Sequence, residues 1–218
     1  MGDLTGQDPH ILGERNLLSK GRVRAALLFM LVLVLLTASG CMGDGDSTAI
    51  DKADLKRLVL QPGDLAPLFI RFDEGRQTRS DQPGATLADV ERFGRQDGWK
   101  ARYRRPGSPA TKGPLVVESK VDVFDDSGGA NKELEAEREA ILEGLHLRDP
   151  APKLGDESFL ATGTQGSGQF KVRFYLVAWR HENAMASVLA NGFERKLTRE
   201  QVVELARKQQ SRLAAAAG

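Results

Sequence analysis

The single cysteine of the chain, Cys41, comes just after an uninterrupted apolar run, Ala25 to Leu36. With no second thiol, no internal disulfide can staple the fold, so everything beyond it must hold together on a hydrophobic core. Roughly 165 residues are enough to build such a core without staples. The apolar run is about a dozen residues, short of the ~17–25 that a membrane-spanning helix needs. Arg15, Lys20, Arg22 and Arg24 lead into it, and the small residues Thr37-Ala38-Ser39-Gly40 follow it. A basic approach, an apolar stretch and a small-residue cleavage segment are the layout of an export signal.

Ala38-Ser39-Gly40-Cys41 resembles the lipobox of bacterial lipoproteins, with Ala38 where Leu is usual. The resemblance implies that residues 1–40 are a signal peptide and that Cys41 is the lipid attachment site, carrying a diacylglyceryl group (palmitate-like acyl chains). Each buried acyl CH₂ contributes about 0.8 kcal/mol, so two chains anchor stably where one is marginal. The expected partner of Cys41 is therefore the cell membrane, with the protein on its extracytoplasmic face. Residues 41–49 then read as lipidated N-terminus and tether, since Asp44-Gly45-Asp46-Ser47-Thr48 suits a flexible spacer.

Without residues 1–40 the chain has 27 Lys and Arg against 27 Asp and Glu. A balanced domain has no global field to draw in nucleic acid, and no nucleic-acid partner is expected.

Beyond the tether, Asp51 caps a short helix through Leu58, ended by Gln61-Pro62-Gly63-Asp64. Asp73 to Pro83 reads as a polar loop. Thr86 caps a second helix with Leu87, Val90 and Phe93 on one face. The period then changes to two: Trp99, Ala101 and Tyr103 alternate with Lys100, Arg102 and Arg104, and Val117, Ser119, Val121 and Val123 alternate with Glu118, Lys120 and Asp122. Ser127 to Leu145 is a helix, with Ala130, Leu134, Ile141 and Leu145 on its apolar face. Asp149-Pro150-Ala151-Pro152 breaks the chain. Three strands follow, Ser158–Thr162, Gln169–Arg180 and Ala184–Ala190, with Gly192 ending the sheet. Thr198 and Gln201 form a capping box for a closing helix striped by Val202, Leu205, Ala206, Gln209 and Leu213. The expectation is one α+β domain over residues 50–213, a twisted antiparallel sheet of about five strands with packed helices, and a frayed tail over 214–218.

Catalytic constellations are not evident. His146 and His181 stand alone with no ligand-spaced His or Cys, so they read as surface residues, and no metal or cofactor is expected. Gly166-Ser167-Gly168 lacks the strand–turn–helix context of a serine nucleophile. Gly128-Gly129 precedes a helix and reads as its first turn rather than as an anion cradle. Six basic residues lie between Arg92 and Arg105. They suit anionic lipid or wall polymer, or else a solvated sheet face and partners for the acidic helix from Glu133 to Glu143.

Several short segments carry a wider resemblance: Leu60-Gln61-Pro62-Gly63-Asp64-Leu65, Leu154-Gly155-Asp156-Glu157, Val172-Arg173-Phe174, Ala184-Met185-Ala186-Ser187-Val188 and Leu205-Ala206. The chain resembles actinobacterial-type lipoproteins and the extracellular sensor domains of mycobacterial-type serine/threonine kinases, although it lacks the disulfides of the latter. A second resemblance is to the antiparallel sandwich of PsbP-like proteins. The sensor-domain resemblance implies a sheet-and-helix cleft for a ligand and transfers no catalytic residue. The ranked expectations are three. First comes a non-enzymatic lipoprotein binding a lipid or cell-wall-derived ligand, with Trp99, Tyr103, Tyr175 and Trp179 as cleft candidates. Second comes an interaction subunit docking on a membrane or secreted protein partner. An envelope enzyme comes last.

Overall fold

The structure, a computed structural model, describes residues 49–77 and 92–218. Cys41, the expected signal peptide, all but Ala49 of the expected tether, and most of the helix expected from Thr86 lie outside the described residues.

Seven strands form one antiparallel sheet: β1 (Ile70–Arg76), β2 (Arg95–Arg104), β3 (Val116–Phe124), β4 (His146–Leu147), β5 (Glu157–Gln165), β6 (Val172–His181) and β7 (Ala184–Phe193). Their spatial order is β1-β2-β3-β7-β6-β5-β4. The expectation of about five strands is corrected to seven. The two missed strands are the edges. β1 begins where the alternation is spoiled by a bulge between Arg71 and Asp73, so Asp73 to Arg76, expected in a loop, pair with β2 instead. β4 is only two residues long. Gly192 lies within β7 rather than ending it; a side chain there would collide with the Gly113 carbonyl, so glycine lets the β2–β3 loop cross the strand.

Both faces of the sheet are covered. Helix α1 (Leu55–Leu58), preceded by a 3₁₀ turn that Asp51 caps through Ala53 N at 2.8 Å, packs on one face together with α3 (Arg199–Ala216). Thr198 and Gln201 close the expected capping box on α3. Val202, Leu205, Ala206 and Leu213 are buried against Val117, Val121, Val177 and Trp179, each large side chain contributing ~1.5–3 kcal/mol. The helix runs on through Ala214 to Ala216.

Helix α2 (Ser127–Ala140) covers the other face. Its cap is Asp126, whose carboxylate accepts from Gly129 N at 2.7 Å, and Gly129 is seated so tightly that a Cβ would strike the Phe93 carbonyl. The helix ends five residues earlier than Leu145; Ile141–Glu143 form a 3₁₀ turn. Beneath it, Phe124, Leu134, Phe159, Ala161, Leu176 and Met185 make a second, smaller core.

Candidate functional site

The α2 face changes character across the sheet. Strand register sets Lys100 beside Lys120, Lys120 beside Ser187 and Ser187 beside Ala178. The next row runs Arg102, Glu118, Leu189, Leu176. Charge on β2 and β3 thus passes into apolar surface on β7 and β6. Helix α2 covers the apolar part and leaves a cleft of about 480 Å³ over the boundary. Its walls carry Gln77, Lys100, Arg102, Lys120, Glu118 and Glu137 on the polar side, with Ile141, Leu145, Leu176 and Leu189 opposite.

The charges of the polar side are matched locally. Arg102 lies 3.1 Å from Glu118 and 3.6 Å from Asp73, and Lys100 lies 3.8 Å from Asp73. Deeper in, Arg95 and Asp122 pair with side chains only 3 % and 1 % exposed, and the Lys120 ammonium lies 2.9 Å from the same carboxylate. Burial alone would depress the Lys120 ammonium, but Asp122 and Glu137 outweigh it and hold its pKa above the usual lysine range. Burial pushes the Glu137 carboxyl up; Lys120 opposes the shift, and Asp122, Glu133 and Glu118 reinforce it. Gln77 is 7 % exposed, and its amide nitrogen has no hydrogen-bond partner among the described residues. A buried donor without an acceptor costs about 1–3 kcal/mol, which an acceptor on a bound molecule would recover.

The four aromatic candidates sit on the opposite face. Trp99, Val121, Ala186 and Trp179 form one cross-sheet row, and Tyr103, Val117, Ala190 and Tyr175 another, with the Ala101, Ser119, Val188 and Val177 row between them. Trp179 and Tyr103 are 0 % and 1 % exposed and belong to the core under α3. The Tyr103 hydroxyl donates to Leu60 O at 2.7 Å, and burial raises its pKa. Trp99 and Tyr175 are half-buried against the same core. These rings therefore line no part of the α2 cleft.

The basic run from Arg92 to Arg105 is not one patch. Arg92 grips Glu133 on α2 with two bonds of 3.0 Å, as the expectation of partners on the acidic helix anticipated. Arg95 is buried on Asp122, Lys100 and Arg102 point into the cleft, and Arg104 and Arg105 stand at the other end of the sheet. His146 is exposed, whereas His181 is half-buried with neither ring nitrogen bonded, and so is not the surface residue expected. Ser167 lies exposed in the β5–β6 loop. Among the described residues no group of three or more His, Cys, Asp or Glu is placed to hold a metal, and no helix is long and apolar enough to cross a membrane.

The cleft residues were hidden in the sequence as ordinary strand alternation. Lys100, Arg102, Glu118 and Lys120 read as solvent-facing, and the one signal available was that the facing positions of two adjacent strands carry charges of both signs.

No family model matches the chain, and no curated protein sequence matches it. Among solved structures it is similar to the extracellular domain of PknH from Mycobacterium tuberculosis, at a TM-score of 0.57 and 10 % identity. The likeness covers 77 % of this chain and 98 % of that one. The fold is shared. An antiparallel α+β sheet of this kind is thus the architecture of an extracellular domain of a mycobacterial protein.

Proposed function

We propose that this chain is a membrane-tethered extracytoplasmic lipoprotein that binds a lipid or cell-wall-derived ligand in the α2 cleft and performs no chemistry on it. The observation that carries the reading is the graded cleft, with the Gln77 amide nitrogen on its wall lacking a partner among the described residues. A site that is polar on one side and apolar on the other suits a molecule with a polar head and an apolar body. The fold shared with an extracellular domain supports the compartment, and the lipobox-like Cys41 supports the tether.

The test is native mass spectrometry of the full-length protein purified gently from its host, beside an unrelated lipoprotein. A specific co-purifying lipid or wall fragment is expected. Gln77→Leu, which keeps the bulk and removes the donor, should lower its recovery about tenfold, the equivalent of one buried hydrogen bond. An empty wild-type protein overturns the reading.

A second reading, an interaction subunit docking on another protein, draws on a separate observation. Among the described residues β1 is an open edge of the sheet, with Ile70 and Phe72 exposed on it, and an edge of that kind can accept a partner strand. Cross-linking from Ile70 to a single protein in intact cells would favour it.

A further inference from the structure

The ends of the sheet differ. At one end, the chain enters the domain at Ile50, whose backbone is held by Asn183 in the β6–β7 turn. The opposite end gathers the approach to β1, the β2–β3 loop, the turn from α2 into β4, the β5–β6 loop and the residues after β7. Across these connections the acids are Asp64, Glu143 and Glu194, against Arg105, Lys112, Lys171, Arg195 and Lys196, and Asp64 is taken up by Arg212 at 2.8 Å. Glu194 is already engaged, 3.0 Å from Lys171 and 2.9 Å from Arg173, and the hydrogen bond from Lys171 leads in holding its carboxyl below the usual range. Arg104, at the end of β2, faces the Phe72 ring at 5.2 Å and no carboxylate among the described residues.

These loops are tied to one another. Gly113 N donates to Lys196 O at 2.8 Å, Glu194 N to Lys171 O at 2.9 Å, and the Arg105 guanidinium to the carbonyls of Lys112 and Pro114. Between them lies a hollow of about 450 Å³ whose walls include Pro109, Gln169, Lys171, Arg195 and Lys196 together with the engaged Glu194. The cations are therefore held on a braced platform rather than scattered on free tails.

We infer that this basic end is a docking surface for a flexible phosphate-bearing polymer outside the membrane. Guanidinium and ammonium groups spread over several strand ends match a chain of repeating anions, and binding by release of its counterions is strongly salt-dependent. The choice of a polymer outside the membrane rests on the extracytoplasmic location proposed above.

The experiment uses the full-length protein in nanodiscs of neutral phosphatidylcholine and fluorescent polyphosphate as probe. Binding is expected to weaken at least tenfold between 50 and 200 mM salt. Arg104→Gln/Arg195→Gln/Lys196→Gln should weaken it a further tenfold or more, whereas Lys132→Gln/Lys153→Gln, on other exposed surface, should change it less than twofold. Circular dichroism checks that both variants fold. Gln77→Leu should leave polyphosphate binding intact, which separates this surface from the cleft. Absence of binding, equal loss in both charge variants, or preferential capture of phosphatidylglycerol vesicles over polyphosphate each overturns the proposal.

Discussion

The side-chain amide of Asn183 closes on the backbone of Ile50 from both sides. Its Oδ1 accepts from Ile50 N at 2.7 Å, and its Nδ2 donates to Ile50 O at 3.3 Å and to Phe124 O at 3.0 Å. One buried amide thereby fastens the start of the domain to the turn between β6 and β7. Asn183→Ala leaves these main-chain groups without partners and should cost about 2–4 kcal/mol in urea unfolding. Hydrogen exchange at Ile50 should accelerate well before that of the β3 core; equal protection of Ile50 in variant and wild type would contradict the assignment.

Gly98 guards the buried Arg95–Asp122 pair. A Cβ at this position would collide with both the Asp122 carboxylate and the Arg95 guanidinium. Gly98→Ala should therefore approach the loss seen on removing one partner of a buried pair, about 3–5 kcal/mol. Denaturant unfolding beside Gly63→Ala, where a Cβ meets nothing within 4 Å, provides the comparison.

Gln209 is a polar residue on the apolar stripe of α3, fully buried. Its Oε1 accepts from the Ser119 hydroxyl at 2.8 Å, its Nε2 donates to Lys120 O at 2.9 Å, and Ser119 Oγ in turn accepts from Leu60 N at 2.9 Å. Gln209→Leu keeps the volume but breaks this relay, and should destabilise by about 1–3 kcal/mol despite the gain in hydrophobicity. A variant as stable as wild type by thermal melting would show that the relay contributes nothing.

Glu137 gives a pH dependence whose sign follows from its raised pKa. The folded protein binds the proton more tightly than the unfolded chain does. Its contribution is therefore fully favourable below the unfolded carboxylate range and is lost as pH rises through the folded value. Glu137→Gln should raise the melting temperature at ~pH 7.5, and the difference should shrink as the pH falls toward the unfolded carboxylate range. Lys120 keeps Asp122 as its partner in the variant.

The sequence was most legible where one face of an element is wet and the other dry. The stripe and capping box of α3, the alternation of β2 and β3, and the β6–β7 hairpin all follow from period and turn chemistry. β1 was not legible, because a bulged edge strand reading Ile-Arg-Phe-Asp-Glu-Gly-Arg keeps no strict alternation. The cleft was missed for a different reason. Polar positions on β2 and β3 suggest water, yet one Asp122 carboxylate pairs both Arg95 and Lys120 and lets them sit beneath α2. Single-strand patterns cannot show that pairing, which needs the register between strands. For the same reason Trp179 and Tyr103, conspicuous as possible ligand contacts, turn out to fill the core under the closing helix.

The clamp at Ile50 also has a mechanical side. Any pull between the start of the domain and the far ends of the strands runs parallel to β2, β3, β6 and β7 rather than across them. Under such tension the ladder hydrogen bonds of these long strands are sheared all at once instead of being peeled one by one. A domain pulled this way would bear load as a rope does and not as a zip.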